Sequence, residues 1–121
     1  MEQHLRVSFG YQHPLKTMWK RGQLPTVKLG IYGDELTRSN ISLEHLLPKS
    51  RGGQTTTSNL ALASQEKNFE RSSYDIFLFT TQEKIQQYLD QFKNIVVIDF
   101  SGNKYIEEIL KTLEKLKRGH L

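Results

Sequence analysis

The sequence contains no cysteine. This absence excludes disulfide bonds, zinc sites with thiolate ligands and enzymes with a cysteine nucleophile. Long apolar runs are also missing, since no stretch approaches the roughly 20 residues that a membrane-spanning helix needs. The first residues, MEQHLRVSFGYQHP, lack the basic segment and the apolar run of a secretion signal. We therefore expect an intracellular, cytoplasmic protein that is neither secreted by that route nor embedded in a membrane.

The composition is that of one folded domain with a basic surface. The chain has 121 residues, 36% of them hydrophobic and 25% charged, which is enough for a single modest core. Seventeen Lys and Arg against 13 Asp and Glu give a net charge of +4. A basic protein favours a polyanionic partner, and nucleic acid is the first candidate, with solvated surface lysines as the alternative explanation. Basic residues gather before residue 52, among them Lys16, Lys20, Arg21, Lys28, Arg38, Lys49 and Arg51.

Periodicity and turn residues predict mixed helix and strand structure. A short helix is predicted from Pro14 to about Gly22, because proline fits a first helical turn and glycine a helix end. The stretch TVKLGIYGDELTRSNISLEHLL predicts strands joined by turns, with His45 at the end of a strand. NLALA predicts a further strand, and Ser64 after it is suited to cap a helix that runs to about Ser72.

The C-terminal part of the chain predicts a helix, a strand and a second helix. The residues TTQE at 80–83 fit a capping box, and an apolar face follows at Ile85, Tyr88, Leu89 and Phe92. NIVVIDF, residues 94–100, predicts a short buried strand. After a turn, a last helix carries an apolar stripe that we assign to the core: Ile106, Ile109, Leu110, Leu113 and Leu116.

The segment SLEHLLPKSRGGQTTTSNLALASQEKNFERS, residues 42–72, contains the groups that phosphodiester hydrolysis needs. That reaction requires a nucleophilic water, a counter-charge for the phosphate oxygens and stabilisation of the leaving alkoxide. His45 is suited to take a proton from water, and Glu44 and Asn68 offer the hard oxygen donors that magnesium prefers. Because Glu44 and Asn68 are 24 residues apart, only a fold-back of strand, loop, strand and helix could bring them around one ion.

Two further features bear on that fold-back. Asn59, at the exit of the loop, can hold the loop backbone or orient the imidazole through its amide, or it is an ordinary turn residue or strand cap. The glycine pair at 52–53 supplies the positive-φ freedom of a tight turn. Because consecutive strand residues point to opposite faces, Glu44 and His45 can both face the metal only at a strand end or at a kink before Pro48.

These residues resemble the HNN variant of the HNH endonuclease family, within the ββα-metal (His-Me finger) superfamily. The pattern runs from EHLLPKSRGG through NLALA to KN and RS, and GIYGDELT upstream is similar to the segment ahead of the family's motif. The resemblance implies an α+β fold with a ββα-metal core at residues 28–73 and a C-terminal helix-strand-helix extension at 74–121, within a single domain of residues 1–121. The cysteine pairs of the zinc ribbon in many relatives are absent, so no structural zinc is expected.

Carried over residue by residue, the resemblance implies a role for each matched position. Glu44 and Asn68 are implied as ligands of Mg²⁺ or Mn²⁺, His45 as the general base, and Asn59 as a catalytic residue that orients the loop and the base. Arg71 is implied as a catalytic residue that neutralises phosphate charge. Contacts to the nucleic-acid backbone are expected from Lys49, Arg51 and Arg71, unless these are simply solvated basic residues. Glutamate replaces the commoner aspartate at position 44, which we expect to lower activity or to favour manganese.

The expected function is a metal-dependent HNH-type endonuclease that hydrolyses phosphodiester bonds in double-stranded DNA and nicks it as a monomer. Two alternatives stay open: a catalytically inactive nucleic-acid-binding module of the same fold, and a structural subunit of a nucleic-acid assembly. Three histidines without supporting context are expected to be surface or packing residues: His4, His13 and His120. Three aromatic residues are expected in the core rather than stacked on bases: Tyr11, Trp19 and Tyr32.

Overall fold

The computed structural model describes residues 13–119, which form four helices and two small antiparallel sheets of an α+β fold. The helices are α1 (Pro14–Lys20), α2 (Gln65–Arg71), α3 (Gln82–Asp90) and α4 (Gly102–Lys117). The strands are β1 (Ile41–His45), β2 (Leu60–Ser64), β3 (Val96–Val97) and β4 (Phe100–Ser101). Short 3-10 turns lie at Lys49–Arg51, Thr57–Asn59 and Ile76–Leu78.

The first sheet pairs β1 with β2 along the full length of both strands. The register runs from Ile41 opposite Ser64 to His45 opposite Leu60. Ser64 ends β2 and begins α2, because its hydroxyl accepts a hydrogen bond from the N–H of Lys67 at 3.2 Å, as a helix-capping serine does. The predicted order of strand, loop, strand and helix is confirmed, with His45 at the end of β1.

Buried tyrosines occupy the edge of β2 that faces away from β1. The N–H of Leu62 donates to Tyr88 Oη at 2.9 Å, and Tyr105 O–H donates to the carbonyl of Leu60 at 2.7 Å. The two hydroxyls are 2.9 Å apart. Because the proton of Tyr105 goes to a carbonyl, which can only accept, Tyr88 must donate to Tyr105. These bonds join α3 and α4 to the strand that leads into the candidate site.

A turn before β1 packs on the same edge of β2. Ile31 N–H donates to the carbonyl of Leu62 at 2.9 Å, and Asp34 accepts from the N–H groups of Tyr32 and Ser64. Ahead of β1, the predicted strands are replaced by one isolated bridge between Leu29 and Glu35. The chain turns directly after Leu29, because the N–H of Gly30 donates to the Asp34 carbonyl and the N–H of Tyr32 to the Asp34 side chain. The turn holds Tyr32 beside β1.

The C-terminal part differs from the prediction in three respects. The cap of α3 is Thr81 rather than Thr80, although the helix and its buried face are as predicted. The single buried strand predicted at 94–100 is wrong: these residues form the β3–β4 hairpin, whose turn includes Asp99 at φ 64°, and Val96 and Ile98 are 82% and 88% exposed. Leu110 was assigned to the core of α4 but is 44% exposed, because the core-facing stripe is narrower than the apolar pattern.

One hydrophobic core connects the elements. It contains side chains from α1, both strands of the first sheet, α3 and α4, including Leu15, Ile41, Leu62, Leu89 and Ile109. Among residues 13–119, no helix has the length and apolar character that a membrane crossing requires.

Candidate active site

His45 lies at the end of β1, partly buried, with its ring directed toward the loop between the strands. Its Nε2 is 3.0 Å from Thr55 Oγ1. Partial burial lowers the pKa of His45, and the positive charges of Lys49 and Arg71 and the nearby His13 lower it further. The imidazole is therefore neutral near neutral pH and able to accept a proton.

Asn59 fastens the loop to the end of the strand with three hydrogen bonds. Its Oδ1 accepts from Leu47 N–H at 2.9 Å, and its Nδ2 donates to the carbonyls of Leu47 and Gln54 at 3.1 and 2.9 Å. The side chain is buried. Within residues 13–119 its amide bonds only the loop backbone, so Asn59 fixes the loop rather than the imidazole directly.

The glycine pair serves the loop in two different ways. Gly52 has φ 98°, the left-handed region that glycine adopts most readily. At Gly53 the reason is space, because a Cβ would lie 1.7 Å from the carbonyl oxygen of Leu47. Both features allow the chain to double back directly after the exposed basic turn at Lys49–Arg51.

Asn68 projects from α2 onto β1. Its Nδ2 donates to Ser42 Oγ and to the carbonyl of Leu43, both at 2.8 Å. Because the Leu43 carbonyl can only accept, the NH₂ group must face it, which fixes the orientation of the amide. Oδ1 accepts no hydrogen bond from the described part of the chain, so this oxygen is available to a ligand.

Glu44 is buried at the contact between β1 and α2, with 3% of its surface exposed. Its Oε2 accepts a hydrogen bond from the hydroxyl of Tyr32, and its Oε1 lies 3.3 Å from a guanidinium nitrogen of Arg71. Burial raises the pKa of Glu44, while the Tyr32 hydrogen bond and the charge of Arg71 oppose that rise. The carboxylate thus has a partner on each oxygen.

Arg71 is 1% exposed and directs its guanidinium inward. Its Nε donates to the carbonyl of Tyr74 at 2.6 Å, and its two terminal nitrogens donate to the carbonyls of His45 and Leu46 at 2.6 and 2.8 Å. With Glu44 as a fourth partner, each of the three guanidinium nitrogens has a partner within the protein. The phosphate contact predicted for Arg71 finds no support in this arrangement, because neither solvent nor a phosphate reaches the guanidinium.

The structure brings the predicted residues together in two groups rather than one. Glu44, Asn68 and Arg71 lie between β1 and α2, whereas the His45 ring faces the loop at Thr55. The ladder with β2 is regular through His45, so the two neighbouring side chains leave the strand on opposite faces. A kink that would turn Glu44 and His45 toward one ion is not observed.

Of the two expected magnesium ligands, Asn68 fits that role in this structure and Glu44 does not. The free Oδ1 of Asn68 is a hard oxygen donor and fits. Glu44 does not fit in this arrangement, because its carboxylate is sealed from solvent and a guanidinium cation 3.3 Å away occupies the place of a counter-ion. Magnesium keeps several waters and needs an open carboxylate. Among residues 13–119 there is no cluster of three or more His, Asp or Glu side chains that could hold a metal.

Three residues around the site were not predicted to belong to it. Tyr32 was expected in the core and is buried, but it also binds Glu44. Thr55 and His13 reach His45 through a hydrogen bond and through charge, respectively. Nothing in a single sequence links these positions to residues 44 and 45, since the contacts depend on how the preceding turn and α1 pack. Three residues discussed from the sequence lie outside the described range: His4, Tyr11 and His120.

Comparison with known proteins gives no family assignment. No protein-family model, no curated protein and no solved structure matches this chain. Its function must therefore be inferred from the residues of the site themselves.

Proposed function

We propose that this chain is an endonuclease that hydrolyses phosphodiester bonds in double-stranded DNA, with His45 as the general base. One observation carries the proposal. The neutral imidazole of His45 lies partly exposed at the end of β1, beside a loop that Asn59 fixes with three hydrogen bonds. A base held beside a fixed turn that carries exposed basic side chains is suited to activate water next to a phosphate.

The imidazole supplies the proton acceptor. When Thr55 Oγ1 accepts the Nε2 proton of His45 across their 3.0 Å contact, the Nδ1 lone pair is left to receive a proton from water. The resulting hydroxide oxygen forms a bond to phosphorus, the bond to the leaving oxygen breaks, and that oxygen takes up a proton from solvent, to which His45 later returns the proton that it accepted. The resemblance implies a 5′-phosphate and a 3′-hydroxyl as the products.

Lys49 and Arg51 are the residues that supply positive charge to the phosphate. Both are exposed on the turn that precedes the glycine pair. Arginine can bind two phosphate oxygens at once and lysine acts as a point charge. Such contacts bind the backbone without reading the sequence of bases, so they position the scissile bond rather than select a site.

The resemblance also implies Mg²⁺ or Mn²⁺ as cofactor. Of the two ligands that the resemblance implies, Asn68, with its free Oδ1, is the one open to such an ion. We assign no catalytic step to an ion bound by Glu44, because Tyr32 and Arg71 hold that carboxylate. One site cleaves one strand, so a monomer nicks DNA.

The same contacts of Glu44 favour a second candidate function, a non-catalytic nucleic-acid-binding module. A buried carboxylate neutralised by Arg71 stabilises the fold whether or not chemistry takes place. In that case the exposed Lys49 and Arg51 bind DNA and His45 has no chemical role. The third possibility, a structural subunit of a nucleic-acid assembly, predicts weak DNA binding alone and tight binding to a protein partner.

Plasmid nicking separates these functions. Supercoiled plasmid is incubated with the protein and Mg²⁺ or Mn²⁺, and the open-circular product is followed on agarose, with a chelator as control. We expect nicking that the chelator stops and that His45→Ala slows by about 10² to 10⁴-fold, the usual contribution of a general base. Lys104→Ala, at an exposed lysine on the first turn of α4, serves as the control and should nick normally.

The contrary results are equally definite. If His45→Ala nicks as fast as the unmodified protein, His45 is not the base. If no metal supports nicking but a salt-sensitive gel shift is seen and is weakened by Lys49→Ala with Arg51→Ala, the chain is a binding module.

A further inference from the structure

We infer that Tyr32, Glu44 and Arg71 form a buried positioning unit for His45, in which Glu44 is the counter-ion of Arg71 and not a metal ligand. We call these three residues the Arg71 clamp. The catalytic consequence of the clamp rests on the proposed function, whereas its structural role does not.

Three backbone carbonyls hold the side chain of Arg71. Its guanidinium donates to the carbonyls of two consecutive residues, His45 at 2.6 Å and Leu46 at 2.8 Å, and to that of Tyr74 at 2.6 Å. The planar fork of arginine suits several acceptors in fixed directions, which lysine cannot reproduce. The bonds tie the end of β1 to the segment after α2, and they hold the backbone of the proposed base itself.

The buried positive charge of Arg71 is paired with Glu44. A guanidinium with 1% of its surface exposed needs a counter-charge. Glu44 supplies it, with Oε1 3.3 Å from the guanidinium. Removing either partner would leave the other charge buried and unpaired.

Tyr32 and Arg71 together fix the orientation of the Glu44 carboxylate. Its second oxygen accepts the hydroxyl proton of Tyr32, so the carboxylate is held from two sides. Tyr32 is itself fixed by its turn, because Thr80 donates to the carbonyl of Ile31 at 2.7 Å and Asp34 joins the turn to β2. A metal ion at Glu44 would have to displace Tyr32, Arg71 or both.

These contacts predict how the clamp affects catalysis. Loosening Arg71 releases the carbonyls of His45 and Leu46, while Asn59 still holds the loop and Lys49 and Arg51 stay exposed on it. The imidazole of His45 would then no longer be held at a fixed position relative to the phosphate, but the phosphate contacts of Lys49 and Arg51 would remain. We therefore expect kcat to fall with little change in KM.

A double-mutant cycle in chelator-containing buffer tests the clamp without any metal. The variants are Glu44→Gln, Arg71→Met and the two combined, and urea denaturation measures the unfolding equilibrium constant. Each single change should shift that constant toward unfolding by on the order of a hundredfold or more. In the double variant the fold-change in the constant should be much smaller than the product of the two single fold-changes. The matched control is the exposed pair Lys67 and Glu70 on the same helix, 3.5 Å apart, where Lys67→Met and Glu70→Gln should combine additively.

Two milder variants keep the test decisive if a single change prevents folding. Tyr32→Phe removes one hydrogen bond to Glu44, and Arg71→Lys keeps the positive charge but not the planar guanidinium with its several donors. At fixed pH, both should shift the NMR resonances of the His45 imidazole, whereas Lys67→Met should not. In nicking assays both should lower kcat several-fold at nearly constant KM, and lysine should not rescue Arg71.

The outcomes distinguish the clamp from the proposed function. Additive effects of Glu44→Gln and Arg71→Met, with an unchanged His45 resonance in Arg71→Lys, would overturn the clamp. A second result would also overturn the clamp: Mn²⁺ raises the melting temperature of the unmodified protein, the Glu44→Gln variant shows no such rise, and without metal the variant is as stable as the unmodified protein. Strong coupling in a protein that never nicks DNA would support the structural role of the clamp and overturn the nuclease proposal.

Discussion

Asn59 offers a sharp test of how the loop is held. Its buried amide makes three hydrogen bonds to the backbone of Leu47 and Gln54, at 2.9, 3.1 and 2.9 Å. Replacing Asn59 with alanine removes all three and leaves one N–H group and two carbonyls without their partners. The loop that carries the proposed phosphate contacts should therefore open more easily.

The size of the effect follows from the number of bonds and from the exposure of their partners. A typical intramolecular hydrogen bond contributes about 1 kcal/mol net, so three amount to about 3 kcal/mol. Gln54 is exposed and Leu47 is half-buried, so water replaces part of what is lost. We expect Asn59→Ala to lower the free energy of unfolding by about 2 kcal/mol, which is roughly thirtyfold in the unfolding equilibrium constant.

Urea denaturation, together with hydrogen exchange at the amide of Leu47, measures this loss. Asn59→Asp is the informative comparison, because its carboxylate still accepts from Leu47 but turns an oxygen toward two carbonyl oxygens. The aspartate variant should be no more stable than the alanine variant at neutral pH. Gln87→Ala, an exposed amide on α3, should change stability by less than about 0.5 kcal/mol. An Asn59→Ala protein as stable as this control, or an aspartate variant like the unmodified protein, would refute the reasoning.

Three further changes have expected outcomes that other measurements check. In urea denaturation, Gly53→Ala should lower the free energy of unfolding by at least about 3 kcal/mol, since its Cβ would lie 1.7 Å from a carbonyl oxygen. Gly52→Ala, at φ 98°, should lower it by about 1 kcal/mol. Equal losses in the two variants would contradict the close approach at Gly53. Tyr88→Phe should cost about 1 to 3 kcal/mol in thermal denaturation, because it leaves a buried N–H of β2 unpaired; an unchanged melting temperature would count against this bond. Burial lowers the pKa of His13 below 6.5, so between the two pKa values the folded state binds fewer protons than the unfolded state. Stability that is present above pH 6.5 should therefore be lost as pH falls through the lowered pKa, by at most about 1.4 kcal/mol per pH unit. His13→Asn, which keeps a capping acceptor, should flatten that dependence in denaturation curves between pH 5 and 7, and a slope as steep as before would assign it to another group.

Elements specified by neighbouring residues could be predicted from the sequence. Ser64 caps α2 as expected, and the apolar face of α3 follows its helical spacing. The β3–β4 hairpin could not be predicted from NIVVIDF, because a short apolar run does not show that Asp99 adopts a positive φ and reverses the chain. Whether Leu110 lies inside or outside depended on how much of α4 the other helices cover.

The candidate site was predictable in its positions but not in its orientations. The pattern correctly located His45 at a strand end and Asn59 at the exit of the loop, since both follow from local strand and turn signals. It could not show that Arg71 points inward and that Glu44 meets Tyr32, because these directions depend on the packing of distant segments. The metal-ligand role of Glu44 stays a prediction that the contacts of its carboxylate do not favour.

The two-stranded sheet of β1 and β2 has a consequence for how this protein behaves at high concentration. An unpaired strand border is a template on which other chains can add, and it promotes aggregation. Here other groups of the protein cover carbonyls and an N–H on both borders. The side chains of Asn68 and Arg71 donate to the outer carbonyls of β1. On the outer edge of β2, the backbone N–H of Ile31 and the hydroxyls of Tyr88 and Tyr105 bond Leu62 and Leu60. Residues that hold the site thus also act as gatekeepers against intermolecular strand addition, so variants that disturb them should be screened for self-association as well as for activity.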